Sequence, residues 1–192
     1  MIRLLIVDDH PAMRAGLTAV LRAEPGLVPL ASASSAEDLE PAVQRTKPDA
    51  VLLDYHLPGT DGLRLCRRLK RQPAAPAVLL YSAYADASLV MPAVLAGADG
   101  LLNKSAPAPE LFDALRAVAR GERVLPPIPR ELLAGAAERL EPEHMPVLAM
   151  MIDGTPAGEV AETLRLSPSE ISRTLDEMID RLRVDVPAPV YT

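Results

Sequence analysis

At 192 residues, 49% of them apolar, and with a net charge of −6, the chain is long enough for one large unit or two small ones and can build a real core. No run approaches the roughly 18 apolar residues of a membrane span, and the opening MIRLLIVDDH meets acids too soon for a signal peptide, so a soluble cytoplasmic protein is expected. The single cysteine, Cys66, excludes an internal disulfide and a cysteine-rich metal site; its expected role is packing within a helix.

In chain order, short apolar runs alternate with helical patterns over the first 120 residues. Strands are expected at Ile2–Val7, Leu27–Ala31, Ala50–Asp54, Val78–Tyr81 and Gly100–Leu102. Helices are expected at Pro11–Ala23, Ala36–Arg45, Gly62–Arg71, Asp86–Ala96 and Pro109–Arg120. Strict alternation of five strands and five helices implies an α/β domain built on a doubly wound five-stranded parallel sheet. Three prolines in Pro126–Pro129 then stop the preceding helix and give way to a short Ala/Leu run, which reads as a linker over residues 123–139. Beyond it, Pro142–Ile152, Ala157–Leu164 and Pro168–Arg183 read as three helices, and the tail over residues 186–192, with its two spaced prolines, as extended chain. The last helix has a strong start, with Ser167 as cap, Pro168 in the first turn and Glu170 completing a capping box.

The chemistry is expected where parallel strands end. Asp8 and Asp9 follow the first strand, Asp54 closes the third, Ser82 follows the fourth and Lys104 follows the fifth. Ligands of a doubly wound sheet collect beyond its carboxyl edge, so these five side chains should converge despite their separation in sequence. Three carboxylates in one pocket repel unless a cation joins them, and an all-oxygen donor set suits Mg²⁺. A phosphoryl group on Asp54 would then face the metal, the Lys104 ammonium and the Ser82 hydroxyl, an arrangement suited to a transient aspartyl phosphate. Taken singly, each residue has a plainer role as turn, cap or solvated charge; the functional reading rests on their convergence.

The stretches LLIVDDHPAMRAGL, DAVLLDYHLPGTDGL, LLYSAY and GADGLLNK closely resemble the receiver domain of two-component response regulators, in particular the NarL/FixJ type, over residues 1–122. The resemblance implies a flavodoxin-like receiver, phosphorylation at Asp54 by a sensor histidine kinase, and Mg²⁺ held by Asp8, Asp9, Asp54 and the Tyr55 backbone carbonyl. It implies switch roles for Ser82 and Lys104, and a signal carrier that assists only its own phosphorylation and dephosphorylation. Receivers of this kind often pair, so a homodimer is one expected state. Two departures stand on the signalling face. Leu101 replaces the family's usual aromatic three residues before the lysine, and Pro92 sits in mid-helix, where it removes the hydrogen bond to the Ser88 carbonyl and should kink or shorten the helix. His56 is expected at the pocket rim or simply exposed.

The C-terminal stretch GTPAGEVAETLRLSPSEISRTL resembles a LuxR-type helix-turn-helix, giving a small all-α domain over residues 140–185. Its charge runs against DNA binding: residues 1–139 carry 16 acids and 16 basic residues, whereas residues 140–192 carry 10 acids and four arginines. The family's usual Asn-Lys is Ala157-Gly158 here, its usual basic residue is Ser172 and its usual histidine is Thr174. An acid about 7 Å from a phosphate costs roughly 0.6 kcal/mol in water. Asp176, Glu177 and Asp180, with the missing contacts, would together remove about 4 kcal/mol of DNA affinity. The family's fourth helix is not expected after Arg183, and Pro146 interrupts the first helix of the unit. Two outputs follow: DNA binding through Arg165, Arg173, Arg181 and Arg183, or a degenerate output domain that binds protein or serves as a phosphoryl sink.

Overall fold

A computed structural model describes residues 1–183; the extended tail read over residues 186–192 lies outside the described residues. The first part runs β1 (Ile2–Val7), α1 (Pro11–Ala23), β2 (Leu27–Ala33), α2 (Ala36–Thr46) and β3 (Ala50–Asp54). A short hairpin of β4 (His56–Leu57) and β5 (Thr60–Asp61) follows, then α3 (Gly62–Lys70), β6 (Ala77–Ser82), α4 (Ala87–Ala96), β7 (Gly100–Asn103) and α5 (Ala108–Ala119). The main sheet is parallel with order β2-β1-β3-β6-β7, so the winding reverses between β1 and β3 and opens a crevice at their carboxyl ends. The expected strands lie within two residues of these bounds. The β4–β5 hairpin was not anticipated, because strands of two residues are too short for alternation to show.

The central strands are apolar throughout because both faces of the sheet are covered. Leu4 and Ile6 of β1 join Leu17 and Leu21 of α1 and Leu111 and Leu115 of α5 in one hydrophobic cluster. Leu5 and Val7 face the other way, toward α2, α3 and α4, and that second cluster does not stop at the first 120 residues. It continues through Val90 and Val94 of α4 into Val147, Leu175 and Met178 of the C-terminal helices.

Those helices are α6 (Arg130–Arg139), α7 (His144–Ile152), α8 (Ala157–Leu164) and α9 (Pro168–Leu182). Within the stretch read as a linker, Val124 adds a short parallel bridge beside Gly100, and α6 occupies the Ala/Leu run with Ala136 buried. The capping box forms as expected: the Ser167 hydroxyl accepts from the Glu170 N–H, and the Glu170 carboxylate accepts from the Ser167 N–H. Helices α7 and α9 lie on α4. Every residue of α4 from Leu89 to Ala96 is buried, and the helix passes through Pro92 without being shortened, ending at Gly97, whose φ of 83° lets the chain turn away.

Candidate functional site

The crevice between β1 and β3 gathers the expected side chains. Asp8 and Asp54 are 2% and 4% exposed, depths at which an acid needs a partner. The partner is Lys104, whose Nζ lies 2.7 Å from Asp8 Oδ2 and 2.7 Å from Asp54 Oδ2. Its backbone N–H donates to the Ser82 carbonyl at 2.9 Å, which ties the turn after β7 to the end of β6. Burial pushes the Asp54 carboxyl up, and the Lys104 ammonium only partly offsets this. Burial works to lower Lys104, but hydrogen bonds to Asp54 and Asp8 outweigh it and leave the ammonium above its ordinary value.

The remaining acceptors are aimed by local turns. The His10 N–H donates to Asp8 Oδ1 at 2.8 Å, and the His56 N–H donates to Asp54 Oδ1 at 3.3 Å. Asp9 Oδ1 is buried without a hydrogen bond, 2.6 Å from His10 Nδ1. Asp8, Asp9, His10 and Asp54 each offer a ligand atom within 4.8 Å of the others, so a hard divalent cation fits the set. The Tyr55 carbonyl accepts from the Gly62 N–H at 2.7 Å and keeps a second lone pair. A Cβ on Gly62 would stand 2.6 Å from the Asp54 carbonyl oxygen, so only glycine lets α3 start this close to the β3 end.

Ser82 is fully buried, and its hydroxyl accepts from the Tyr84 N–H at 3.1 Å. Leu101 is 3% exposed and belongs to the cluster shared with α4 and α9. His56 lies at the rim, its ring edge-on to Tyr55 and Tyr84 with centroids 4.8 and 5.7 Å away.

The acidic face of α9, read from sequence as an outer face, is in part turned inward. Asp176 pairs with Arg67 Nε at 3.2 Å and with Arg71, and Asp180 pairs with Arg64 at 3.5 Å; Arg64 and Arg67 belong to α3 and Arg71 caps its C-terminal end. Arg67, only 7% exposed, also donates to the Ser172 carbonyl at 3.3 Å. Arg183 pairs with Asp61 on the hairpin. Glu177 stays outward and half exposed, 3.8 Å from Arg173. The four arginines proposed for DNA are not brought together. Arg165 ends α8 with φ of 56°, Arg173 is 72% exposed, Arg181 binds Glu141 at 2.6 Å and Arg183 is on Asp61. Sequence reasoning missed Arg64, Arg67 and Arg71 as partners. Their three- and four-residue spacing marks one face of α3, and that stripe was the available signal.

A doubly wound domain with paired buried carboxylates and a lysine at its carboxyl edge, followed by a helical region, defines a signal-receiving module with an appended output. Residues 4–116 match the response regulator receiver domain family. The chain is 32% identical to the transcriptional activator protein ExaE of Pseudomonas putida, over 94% of this chain and 90% of that protein. It is 28% identical to the response regulator UvrY of Escherichia coli K12, over 96% and 89%. A LuxR-family two-component response regulator from Aurantimonas superposes with a TM-score of 0.62 at 31% identity, covering 66% of this chain and 91% of that one. The chain belongs to the two-component response regulators of the NarL/LuxR type. Among the described residues no helix is long and apolar enough to cross a membrane.

Proposed function

We propose that the protein is a cytoplasmic response regulator that takes a phosphoryl group on Asp54 from a sensor histidine kinase and controls transcription through its C-terminal helices. In this reading residues 1–122 receive the signal, residues 123–139 connect, and the helices from residue 140 onward deliver the output. The observation that carries it is the Lys104 ammonium shared between Asp8 and Asp54, a cation held where an acyl phosphate would need one. Asp8, Asp9, Asp54 and the Tyr55 carbonyl would hold Mg²⁺, which when bound supplies charge neutralisation for the phosphoryl oxygens. An Asp54 carboxylate oxygen attacks the phosphorus of the kinase's phosphohistidine, the P–N bond breaks and the imidazole leaves; the Lys104 ammonium then turns toward the phosphoryl oxygens, and the Ser82 hydroxyl, still accepting from the Tyr84 N–H, donates its proton to one of them. Phosphorylation with acetyl phosphate and Mg²⁺, read as a mobility shift on phosphate-retarding gels, is expected in the wild type and absent in Asp54→Asn. A shift that survives this substitution overturns the assignment.

A second reading is favoured by one observation, the α3–α9 contact, which uses for intramolecular pairing the face that would meet DNA. In it the C-terminal helices act on proteins, and DNA binding is absent in both phosphorylation states.

A further inference from the structure

The α3–α9 contact has one member that does not belong to α3. Arg183, the residue closing α9, reaches the β4–β5 hairpin, where its guanidinium pairs with Asp61 and hydrogen-bonds the Tyr55 side chain. Both partners are nearly inaccessible, Tyr55 at 3% and Asp61 at 6%, whereas the Arg183 side chain is about a third exposed. An arginine fork that satisfies a buried carboxylate and a phenol at once fixes two groups relative to each other.

What it fixes is the loop that leaves the phosphorylation site. Tyr55 is bonded directly to Asp54, and its carbonyl accepts from the Gly62 N–H at 2.7 Å. Asp61 pairs with His56 across the hairpin, and its Oδ1 caps α3 by accepting from the Arg64 N–H at 2.9 Å. Because Gly62 sits against the Asp54 and Tyr55 backbone with no room even for a Cβ, the path from Asp54 through the hairpin to Asp61 has little slack. A displacement of the Asp54–Tyr55 backbone must move Asp61, and Asp61 holds the end of α9.

We propose that Arg183 is a positioning residue that latches the output helix to the phosphoacceptor loop, so that occupancy of Asp54 and docking of α9 are coupled through Tyr55 and Asp61. The latch rests on the reading of Asp54 as phosphoacceptor. It supplies a route from the site to the output that leaves Leu101 and α4 buried where they are. Loss of Arg183 therefore has two signatures. The hairpin loosens and water reaches the acyl phosphate sooner, and α9 ceases to respond to phosphorylation.

The test uses the full chain as wild type, Arg183→Met, Arg183→Lys and Arg71→Met, the last weakening α9 docking away from the hairpin. After loading with acetyl phosphate and Mg²⁺, the lifetime of the Asp54 phosphate is followed by gel shift. Amide exchange over residues 168–182 is followed with and without beryllofluoride. Arg183→Met is expected to shorten the lifetime several-fold, because the looser hairpin admits water, and to abolish the beryllofluoride response of α9. Arg183→Lys keeps the charge opposite Asp61 and is expected to restore part of both. Arg71→Met is expected to raise exchange in α9 while leaving the lifetime unchanged. A lifetime and response in Arg183→Met equal to the wild type overturn the latch alone, and so does a shortening that Arg71→Met reproduces. A wild type that accepts no phosphoryl group sinks the reading of Asp54, and the latch with it.

Discussion

With its ammonium 2.7 Å from both Asp8 and Asp54, Lys104 is the cation that keeps two buried carboxylates in one crevice. Replacing it by methionine preserves bulk and removes the charge, leaving both acids desolvated and facing each other. Removal of one partner from a buried ion pair costs about 3–5 kcal/mol. Lys104→Met is accordingly expected to lose about 3 kcal/mol of stability in urea denaturation with chelator present. A loss below about 1 kcal/mol would mean that water solvates the crevice and that Lys104 is held there for chemistry alone. Cys66 shows the opposite use of burial. It is fully enclosed in α3, its Sγ near the Ala96 carbonyl at 3.5 Å, and burial pushes the thiol up to about 12. A thiol protonates below its pKa, so at pH 8 Cys66 carries its proton and is shielded as well. Ellman's reagent is expected to leave the native protein unmodified and to find one thiol per chain after unfolding; rapid reaction of native protein would show that α3 opens readily.

Helix α3 carries its polar partners on one stripe, and the partners are unequal. Arg67 is buried with Asp176 and the Ser172 carbonyl, whereas Arg64 and Asp180 meet in solvent with more than half of each side chain exposed. Asp176→Ala strands Arg67 inside the contact and takes a partner from Arg71; discounted for the half-exposed carboxylate, it should cost docking about 2 kcal/mol. Asp180→Ala should cost under about 0.5 kcal/mol, as exposed pairs do. Amide exchange in α9 is the measurement, with about a 30-fold faster opening expected for the first and little change for the second. Equal effects would show that the contact is held by Leu175 and Met178 rather than by charge. This stripe also marks where the sequence was legible and where it was not. Strands β1, β3, β6 and β7 announce themselves as apolar runs closed by Asp8, Asp54, Ser82 and Lys104, and parallel winding converts that order into a pocket. Ser167 and Glu170 likewise announce the start of α9 locally. Nothing local reveals that Asp176 answers an arginine 109 residues earlier. Sequence alone treats a helix's polar face as solvated, and only the packing of α9 on α4 brings the two charged stripes together. The hairpin escaped for a different reason, since each of its strands is only two residues long, too short for alternation to show.

At the scale of the whole molecule, one hydrophobic cluster runs from the sheet through α4 into the C-terminal helices, and the charged stripe of α3 closes over its edge. The unphosphorylated chain is therefore closed: Asp176 and Asp180 face the first domain, and Arg181 and Arg183 are on Glu141 and Asp61. DNA affinity depends on how many phosphates are neutralised, and each neutralised phosphate adds about 0.9 to the slope of log K against log salt. Of the four candidate arginines, Arg173 lies 3.8 Å from Glu177, Arg181 and Arg183 are on Glu141 and Asp61, and Arg165 by itself would give a slope of about 0.9 at most. A salt titration of the unphosphorylated full chain on duplex DNA is accordingly expected to give a slope of no more than about one. If the C-terminal helices control transcription by reading DNA, beryllofluoride must release α9, and the freed Arg173, Arg181 and Arg183 should raise the slope to about two or more. A steep slope without beryllofluoride would contradict the closed arrangement. A slope near zero in both states would leave α9 without access to DNA, and the output would then lie in protein contacts, with α9 kept for the arginines of α3.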